Sequence, residues 1–163
     1  MRLELSAPTA EDTRAIGLAL APLLRPGDAV ALTGELGAGK TTLVQGAARG
    51  MGFEGRVVSP TFTLVREYQG RDLRLFHVDV FRLERVQDVL DLGLDEMLAE
   101  GGVLFVEWGD AVEGLLPEAH LLVSLTLAGE GDERRVEVTG AGASWAARWE
   151  RLGLALRRWS RAA

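Results

Sequence analysis

Apolar positions along the chain change their period several times, and each change marks an element. Leu3 and Leu5 alternate with polar neighbours and predict a short edge strand. Thr9 follows as a helix N-cap, with Glu11 and Asp12 in the first turn, where carboxylates suit the positive end of the helix. Ile16, Ala19, Leu20 and Leu23 share one face of that helix, which is expected to run to about Leu24, with a kink or early stop at Pro22. Residues 25–28 read as a turn. The apolar run 29–32 predicts the first core strand, and a glycine-rich turn after it leads into a helix ending at Gly50-Met51-Gly52. Pro60 breaks the next apolar stretch, 57–68, into a loop at 59–61 and a strand beyond it. A hairpin-like turn at 69–72 precedes a strand over 73–79. Residues 83–98 read as helix in two pieces divided near Gly93 and stopped at Gly101-Gly102. Val103-Leu104-Phe105-Val106 is apolar throughout, as a central strand covered on both faces is, and ends in Glu107. Residues 121–127 and 135–138 alternate as a late strand pair. From Ser144 a last helix carries Trp145, Trp149, Leu152, Leu156 and Trp159, a spacing that predicts docking on the core.

Length and composition narrow the class. With 163 residues, 47% hydrophobic and 26% charged, the chain is expected to be one domain, 1–163, with 144–163 as a C-terminal helix of unassigned role. It has no cysteine, no apolar run of membrane-spanning length and no signal-peptide apolar region at the N-terminus, which favours the cytoplasm and no membrane. A net charge of −6 argues against a protein that grips nucleic acid over its whole surface, but leaves room for a local basic patch. The last helix offers one candidate: Arg148, Arg151, Arg158 and Arg161 lie opposite its tryptophans, a surface suited to a partner or RNA.

The candidate chemistry centres on Gly34 to Thr41, which satisfies the phosphate-loop pattern G-x-x-x-x-G-K-[ST]. Gly34, Gly37 and Gly39 let the backbone wrap phosphates with its N–H groups inward, and the helix behind adds its positive end. Lys40 supplies a cation for the β- and γ-phosphates, and Thr41 offers a hydroxyl to Mg²⁺. Glycine turns between strand and helix are common, but Lys40 is the only lysine among eighteen basic residues. A chain that uses arginine everywhere else has kept a slim ammonium where it must reach into a phosphate cradle. Two acids close strands, Asp79 and Glu107. On pattern alone either could be the Mg²⁺-side carboxylate and the other could position water. Ser59, Thr61 and Thr63 form a switch-like segment or an ordinary proline-anchored turn. His77 shares a strand face with Asp79, and Trp108 could stack on a base, flank the metal, meet a partner or pack in the core.

A second lysine for a guanine-reading loop is missing, as are an ABC-type signature and a lid-length insertion. What remains resembles the TsaE (YjeE) family, ATPases required to make threonylcarbamoyladenosine in tRNA. The blocks that carry the resemblance are Thr33-Gly34-Glu35-Leu36-Gly37-Ala38-Gly39-Lys40-Thr41-Thr42, Ser59-Pro60-Thr61-Phe62-Thr63-Leu64-Val65, His77-Val78-Asp79-Val80-Phe81-Arg82-Leu83, Leu92-Gly93-Leu94-Asp95-Glu96 and Val106-Glu107-Trp108, spread over roughly residues 9–140. The resemblance implies an α/β, P-loop NTPase-like three-layer domain with a mixed central β-sheet flanked by helices. It implies that Glu35, Leu36, Gly37, Ala38, Gly39, Lys40, Thr41 and Thr42 hold ATP, with Mg²⁺ on Thr41 and Glu107 and with Asp79 most important for hydrolysis. Ser59, Thr61 and Trp108 would lie beside the site, and Thr9 and Arg134 would be contacts on the base side. The implied activity is Mg²⁺-dependent ATP hydrolysis that supports repeated turnover by the partners TsaB and TsaD, which transfer threonylcarbamoyl to the adenosine beside the anticodon. The chain itself would not be the transferase, would reach tRNA indirectly and would be a monomer when free. Glu35, Phe62, Val78 and Phe81 depart from the usual residues without removing a ligand. No arginine stands at the γ-phosphate in the pattern, so hydrolysis is expected to be weak until a partner residue, or Arg66 or Arg82 after a switch movement, completes the site. The rivals are a small-molecule kinase and an ATP-sensing module without productive hydrolysis.

Overall fold

The computed structural model describes residues 1–61, 63–108 and 113–161; Phe62, residues 109–112 and residues 162–163 of the C-terminal segment lie outside them. Its strands are β1 (Arg2–Ala7), β2 (Ala29–Thr33), β3 (Val65–Gln69), β4 (Arg74–Asp79), β5 (Val103–Glu107), β6 (His120–Leu127) and β7 (Arg134–Ala141). They form one sheet in the order β1-β7-β6-β2-β5-β4-β3. β2 lies parallel to β5 and β6, and β4 parallel to β5, whereas β3, β7 and β1 join antiparallel toward the two edges. The sheet is therefore mixed, as expected. β2 and β5 are apolar almost throughout because helices cover both of their faces.

α1 (Ala10–Leu20), α2 (Lys40–Gly50) and α5 (Ala143–Leu156) cover one face, and α3 (Val86–Leu90) and α4 (Leu94–Ala99) the other. Alternation along the strands sorts the core: Leu75 and Phe105 pack with Leu43, Val44 and Trp145, while Phe76, Val78, Leu104 and Val106 pack with Val89 and Leu94. No helix among the described residues is long and apolar enough to cross a membrane.

Local sequence explains most boundaries. Thr9 caps α1, its Oγ1 accepting from the Asp12 N–H at 3.1 Å. The helix stops at Leu20, short of Leu24, because Pro22 has no N–H to continue it; the chain tightens into a 3₁₀ turn over Ala21–Leu23. Gly93 divides α3 from α4, with φ +77° at the N-cap of the second piece. β3 starts at Val65, later than Pro60 alone suggests, because Leu64 N–H closes a turn onto Pro60 O at 2.7 Å.

α5 docks as its tryptophans predict, with Trp145, Leu152 and Leu156 buried, but it ends at Leu156, and Trp159 is buried from the 3₁₀ turn that follows over Arg157–Trp159. One expectation is corrected. Arg148 is not on the arginine surface: it is 1% exposed. It lies three residues after Trp145 and four before Leu152, on the same apolar face. Every N–H of its guanidinium is used. Nε donates to Ser144 O (3.1 Å), Nη1 to Leu23 O (2.7 Å) and Asp28 Oδ2 (2.6 Å), and Nη2 to Asp28 Oδ1 (2.9 Å) and Ser144 Oγ (2.7 Å). Full pairing makes this burial tolerable and ties α5 to the turn before β2. Arg151, Arg158 and Arg161 do stay exposed.

α1 and α2 pack with no room for side chains between them. A Cβ on Gly46 would sit 1.8 Å from Arg14 O, and one on Gly17 would sit 2.1 Å from Leu43 O. Gly46→Ala is therefore expected to lower stability by about 2–3 kcal/mol, since overpacking a tight contact costs about 1–3 kcal/mol or more. Gly153→Ala, in α5 with nothing within 4 Å, should gain about 0.5–1 kcal/mol. Denaturant melts of the pair check this; equal effects would sink the packing account.

The end of the chain closes onto α1. The Trp159 indole N–H (3.0 Å) and the Thr9 hydroxyl (2.8 Å) donate to the Asp12 carboxylate and hold its pKa below the ordinary value. Because the folded pKa is the lower one, this stabilisation is fully present above the unfolded value and is lost as pH falls through the folded one. Trp159→Phe should shift the Asp12 carboxyl titration upward in an NMR pH series. An unmoved midpoint would show that the indole bond does not contribute.

Candidate nucleotide-binding site

β2 delivers the chain to Thr33, whose hydroxyl donates to Ser124 Oγ on β6 at 2.9 Å. The phosphate loop follows directly. Gly34 has φ +143°, and a Cβ there would lie 2.5 Å from Leu125 O; Gly39 has φ +107° and is the N-cap of α2. Neither conformation suits an L side chain, which accounts for glycine at both ends of the turn. The Ala38 N–H closes the turn onto Glu35 O at 2.9 Å, and Leu36 stands out at the tip, 83% exposed. Arg134 reaches across from β7 and holds the outside of the loop, donating from Nε to Ala38 O (2.9 Å) and from Nη2 to Gly37 O (3.3 Å).

Lys40 opens α2 and is buried. Its Nζ donates to Gly34 O at 2.6 Å and Glu35 O at 3.1 Å, and lies 4.0 Å from the centroid of the Trp108 ring. Phe81 also stacks on Trp108, with ring centroids 4.9 Å apart, so Trp108 contacts both an ammonium and an aromatic. Trp108 adopts φ +66°, a region few non-glycine residues enter, and its N–H is fixed on Leu32 O at 2.7 Å.

The acids come from strand alternation. Leu75, His77 and Asp79 on β4 face the α2 layer, and so do Val103, Phe105 and Glu107 on β5. Parallel register sets Asp79 opposite Glu107. The Thr41 hydroxyl, in the first turn of α2, lies 3.1 and 3.2 Å from the two Glu107 carboxylate oxygens. On the other side of that carboxylate, His77 Nε2 is 2.5 Å from Oε2. With Glu107 ionised, Nε2 carries the proton; His77 Nδ1 then has no partner among the described residues. Asp79 is held separately: Oδ1 accepts from the Phe81 N–H at 2.9 Å and Oδ2 from the Thr61 hydroxyl at 3.2 Å, while Thr61 Oγ1 is 2.7 Å from Ser59 Oγ.

The structure thus brings Lys40, Thr41, Ser59, Thr61, His77, Asp79, Glu107 and Trp108 into one neighbourhood. Thr9 is occupied as the α1 cap, and Thr63, Arg66 and Arg82 are exposed. α1 does flank the loop, through Thr13, whose methyl is 3.4 Å from where a Gly39 Cβ would be. The sequence carried no signal for Thr13 or Ser124, since their roles depend on which elements become neighbours. Thr41 and Glu107 present a hydroxyl and a carboxylate, hard oxygen donors that fit Mg²⁺, an ion commonly held by one or two carboxylates together with substrate phosphates.

A glycine loop between a parallel strand and a helix, with a hydroxyl–carboxylate pair at its mouth, places the molecule in the P-loop NTPase-like class. Comparison with known proteins goes one step further. The family model for threonylcarbamoyl adenosine biosynthesis protein TsaE matches residues 7–136. The chain is 44% identical over 132 residues to the tRNA threonylcarbamoyladenosine biosynthesis protein TsaE of Bacillus subtilis, covering 81% of this chain and 82% of that one. It is 45% identical over 139 residues to the protein of the same name from Streptomyces coelicolor, covering 82% and 93%. The crystal structure of Bacillus subtilis YdiB superposes with a TM-score of 0.78 at 37% identity, over 97% of this chain and 95% of that one. The chain belongs to the TsaE family.

His77→Phe would leave the buried Glu107 carboxylate without its imidazole. A buried acceptor stripped of its partner costs about 1–3 kcal/mol, more when charged, so a stability loss of that order is expected in denaturant titration. Wild-type stability would show the contact to be idle.

Proposed function

We propose that this chain is a Mg²⁺-dependent ATPase acting with TsaB and TsaD in threonylcarbamoyladenosine modification of tRNA, supporting repeated turnover without being the transferase. The observation that carries the ATPase reading is the convergence of Thr41, Glu107 and Asp79 at the mouth of the phosphate loop. The tRNA role is supported by the names of the relatives.

On this reading the loop N–H groups of residues 35–42 cradle the phosphates, and Lys40 exchanges its bonds to Gly34 O and Glu35 O for phosphate oxygens. Thr41 and Glu107 would hold Mg²⁺, which when bound neutralises charge developing on the phosphate oxygens. His77 keeps the Glu107 carboxylate turned toward Thr41. Asp79 orients the attacking water and accepts its proton as the γ-phosphoryl group leaves ADP, and Thr61 holds Asp79 for that task. Arg134 fixes the loop from outside, and Thr9 flanks the base side at the start of α1. Trp108 walls the path of the Lys40 ammonium.

Threonylcarbamoylation of excess tRNA by purified TsaB and TsaD with a threonylcarbamoyl donor tests the reading. Product beyond one equivalent of enzyme is expected only with this chain and hydrolysable ATP. Asp79→Asn should keep ATP binding and lower hydrolysis about 100-fold or more, the usual scale of losing a general base. Equal product with and without this chain overturns the proposal. Equal product with a non-hydrolysable analogue would make it an ATP sensor, and phosphate delivered to an acceptor instead of water would make it a kinase.

A further inference from the structure

At the far end of α2 from the phosphate loop lies a cavity of about 600 Å³ lined by Arg14, Arg49, Arg56 and Arg71. The helix rise puts its Arg49 wall about 13 Å along α2 from Lys40. We propose that this cavity is an RNA-binding site, in which the arginines take phosphodiester groups of the tRNA backbone.

Four arginines line the cavity from four separate segments, against one acid in the lining, Glu54; of the four, Arg14 is already ion-paired with Glu11. In a chain with net charge −6, such a concentration is local and needs its own account. Arg49 by itself would only complement the negative end of α2. Arg56 and Arg71 belong to no helix, so that explanation does not reach them. Arg49, Arg56 and Arg71 are exposed, and none has an ion-pair partner among the described residues.

The wall is built as well as charged. Gln45 Oε1 accepts from Arg14 Nε (3.3 Å) and Nη2 (3.2 Å), while its Nε2 donates to Val57 O (3.3 Å), so one side chain fixes both a guanidinium and the segment leading to Ser59. The Arg71 N–H donates to Met51 O at 2.7 Å, which holds Arg71 beside Arg49. A Cβ on Gly52, with φ +96°, would press to 3.1 Å on Arg71 N, so only glycine permits that approach. A second cavity of about 290 Å³ shares Arg49, Gly52 and Arg71 and brings one acid, Asp72, into its lining. Phe53 lines the first cavity, and arginines beside an aromatic ring are the chemistry that RNA sites use for backbone and base.

Choosing RNA over another polyanion rests on the tRNA role proposed above; the cavity itself rests only on its arginines. The test is fluorescence anisotropy of labelled unmodified tRNA with the full chain. Arg49→Ala, Arg56→Ala and Arg71→Ala are combined in one variant. The control removes the same charge elsewhere, through Arg151→Ala, Arg158→Ala and Arg161→Ala. The cavity variant should bind tRNA at least tenfold more weakly, and its slope of log affinity against log salt should fall by about 2–3, which is about 0.7–0.9 for each of three lost phosphate contacts. ATP affinity and thermal melting should be unchanged, and the control variant should bind tRNA nearly as the wild type does. No tRNA binding by the wild-type chain, or equal loss in both variants, overturns the proposal. So does binding of inorganic phosphate or pyrophosphate at the same arginines without competition by tRNA. The threonylcarbamoylation assay reads the ATPase role separately, so arginine-dependent tRNA binding stands even where that role fails.

Discussion

α1 and α2 touch backbone to backbone, and the rest of the site depends on that contact. With Gly17 and Gly46 at the crossing, no side chain can hold the helices apart. α2 is therefore fixed in height above the sheet along its length, and its first residues, Lys40 and Thr41, are fixed with it. A Thr41 hydroxyl that must lie near 3 Å from Glu107 tolerates little drift in that height. The helix pair in turn rests on Leu43, Val44, Ile16 and Leu20, packed on the same sheet face as Leu75 and Phe105. Arg148 and Asp28 clamp α5 onto the turn leading to β2, so the strand that launches the loop is held at its start as well as along its body.

Above that frame, period-two alternation does the chemical sorting. A one-residue slip of β4 or β5 would turn His77, Asp79 or Glu107 away from α2 and into the α3–α4 layer. Strain gathers at the same end of the sheet. Leu64 and Trp108 are the two non-glycine residues with positive φ among those described, at +67° and +66°. Such conformations cost about 1–3 kcal/mol each and persist where surroundings fix them. Leu64 O accepts from the Asp79 N–H at 3.0 Å, and Trp108 follows Glu107, so each strained residue directly positions one of the two acids or its neighbour. The pattern is that of a site whose precision is maintained against local preference.

Much of this was legible in the sequence because it is local. The loop pattern, the Thr9 cap, the Gly93 break and the apolar strand ending in Glu107 each follow from residues close in the chain. Strand order was not legible. β5 sits between β2 and β4, so the adjacency of Asp79 and Glu107, and the His77–Glu107 bond, depend on pairings that no local pattern encodes. Arg148 is legible by spacing, since three residues from Trp145 and four from Leu152 it sits in the apolar stripe, whereas its charge points to the surface. Arg134 could only be placed once β7 was known to run beside the loop.

Lys40 is paired before any phosphate arrives. Its ammonium already has oxygen partners in Gly34 and Glu35 and a π-face in Trp108. Phosphate binding therefore exchanges contacts and does not simply add them, and the net gain is a difference between two paired states. The same holds for Thr61, whose hydroxyl serves both Ser59 and Asp79. Groups paired in this way keep their geometry at the expense of binding strength. On the proposed function, that suits a site whose hydrolysis waits for a partner: the donors and acids are aligned in advance, while the cation needed on the γ-phosphate comes from elsewhere. The 57–61 segment is tied to α2 through Gln45 and to β3 through the Tyr68 hydroxyl on Val58, so the stretch that carries Thr61 to Asp79 is anchored to both layers around the loop.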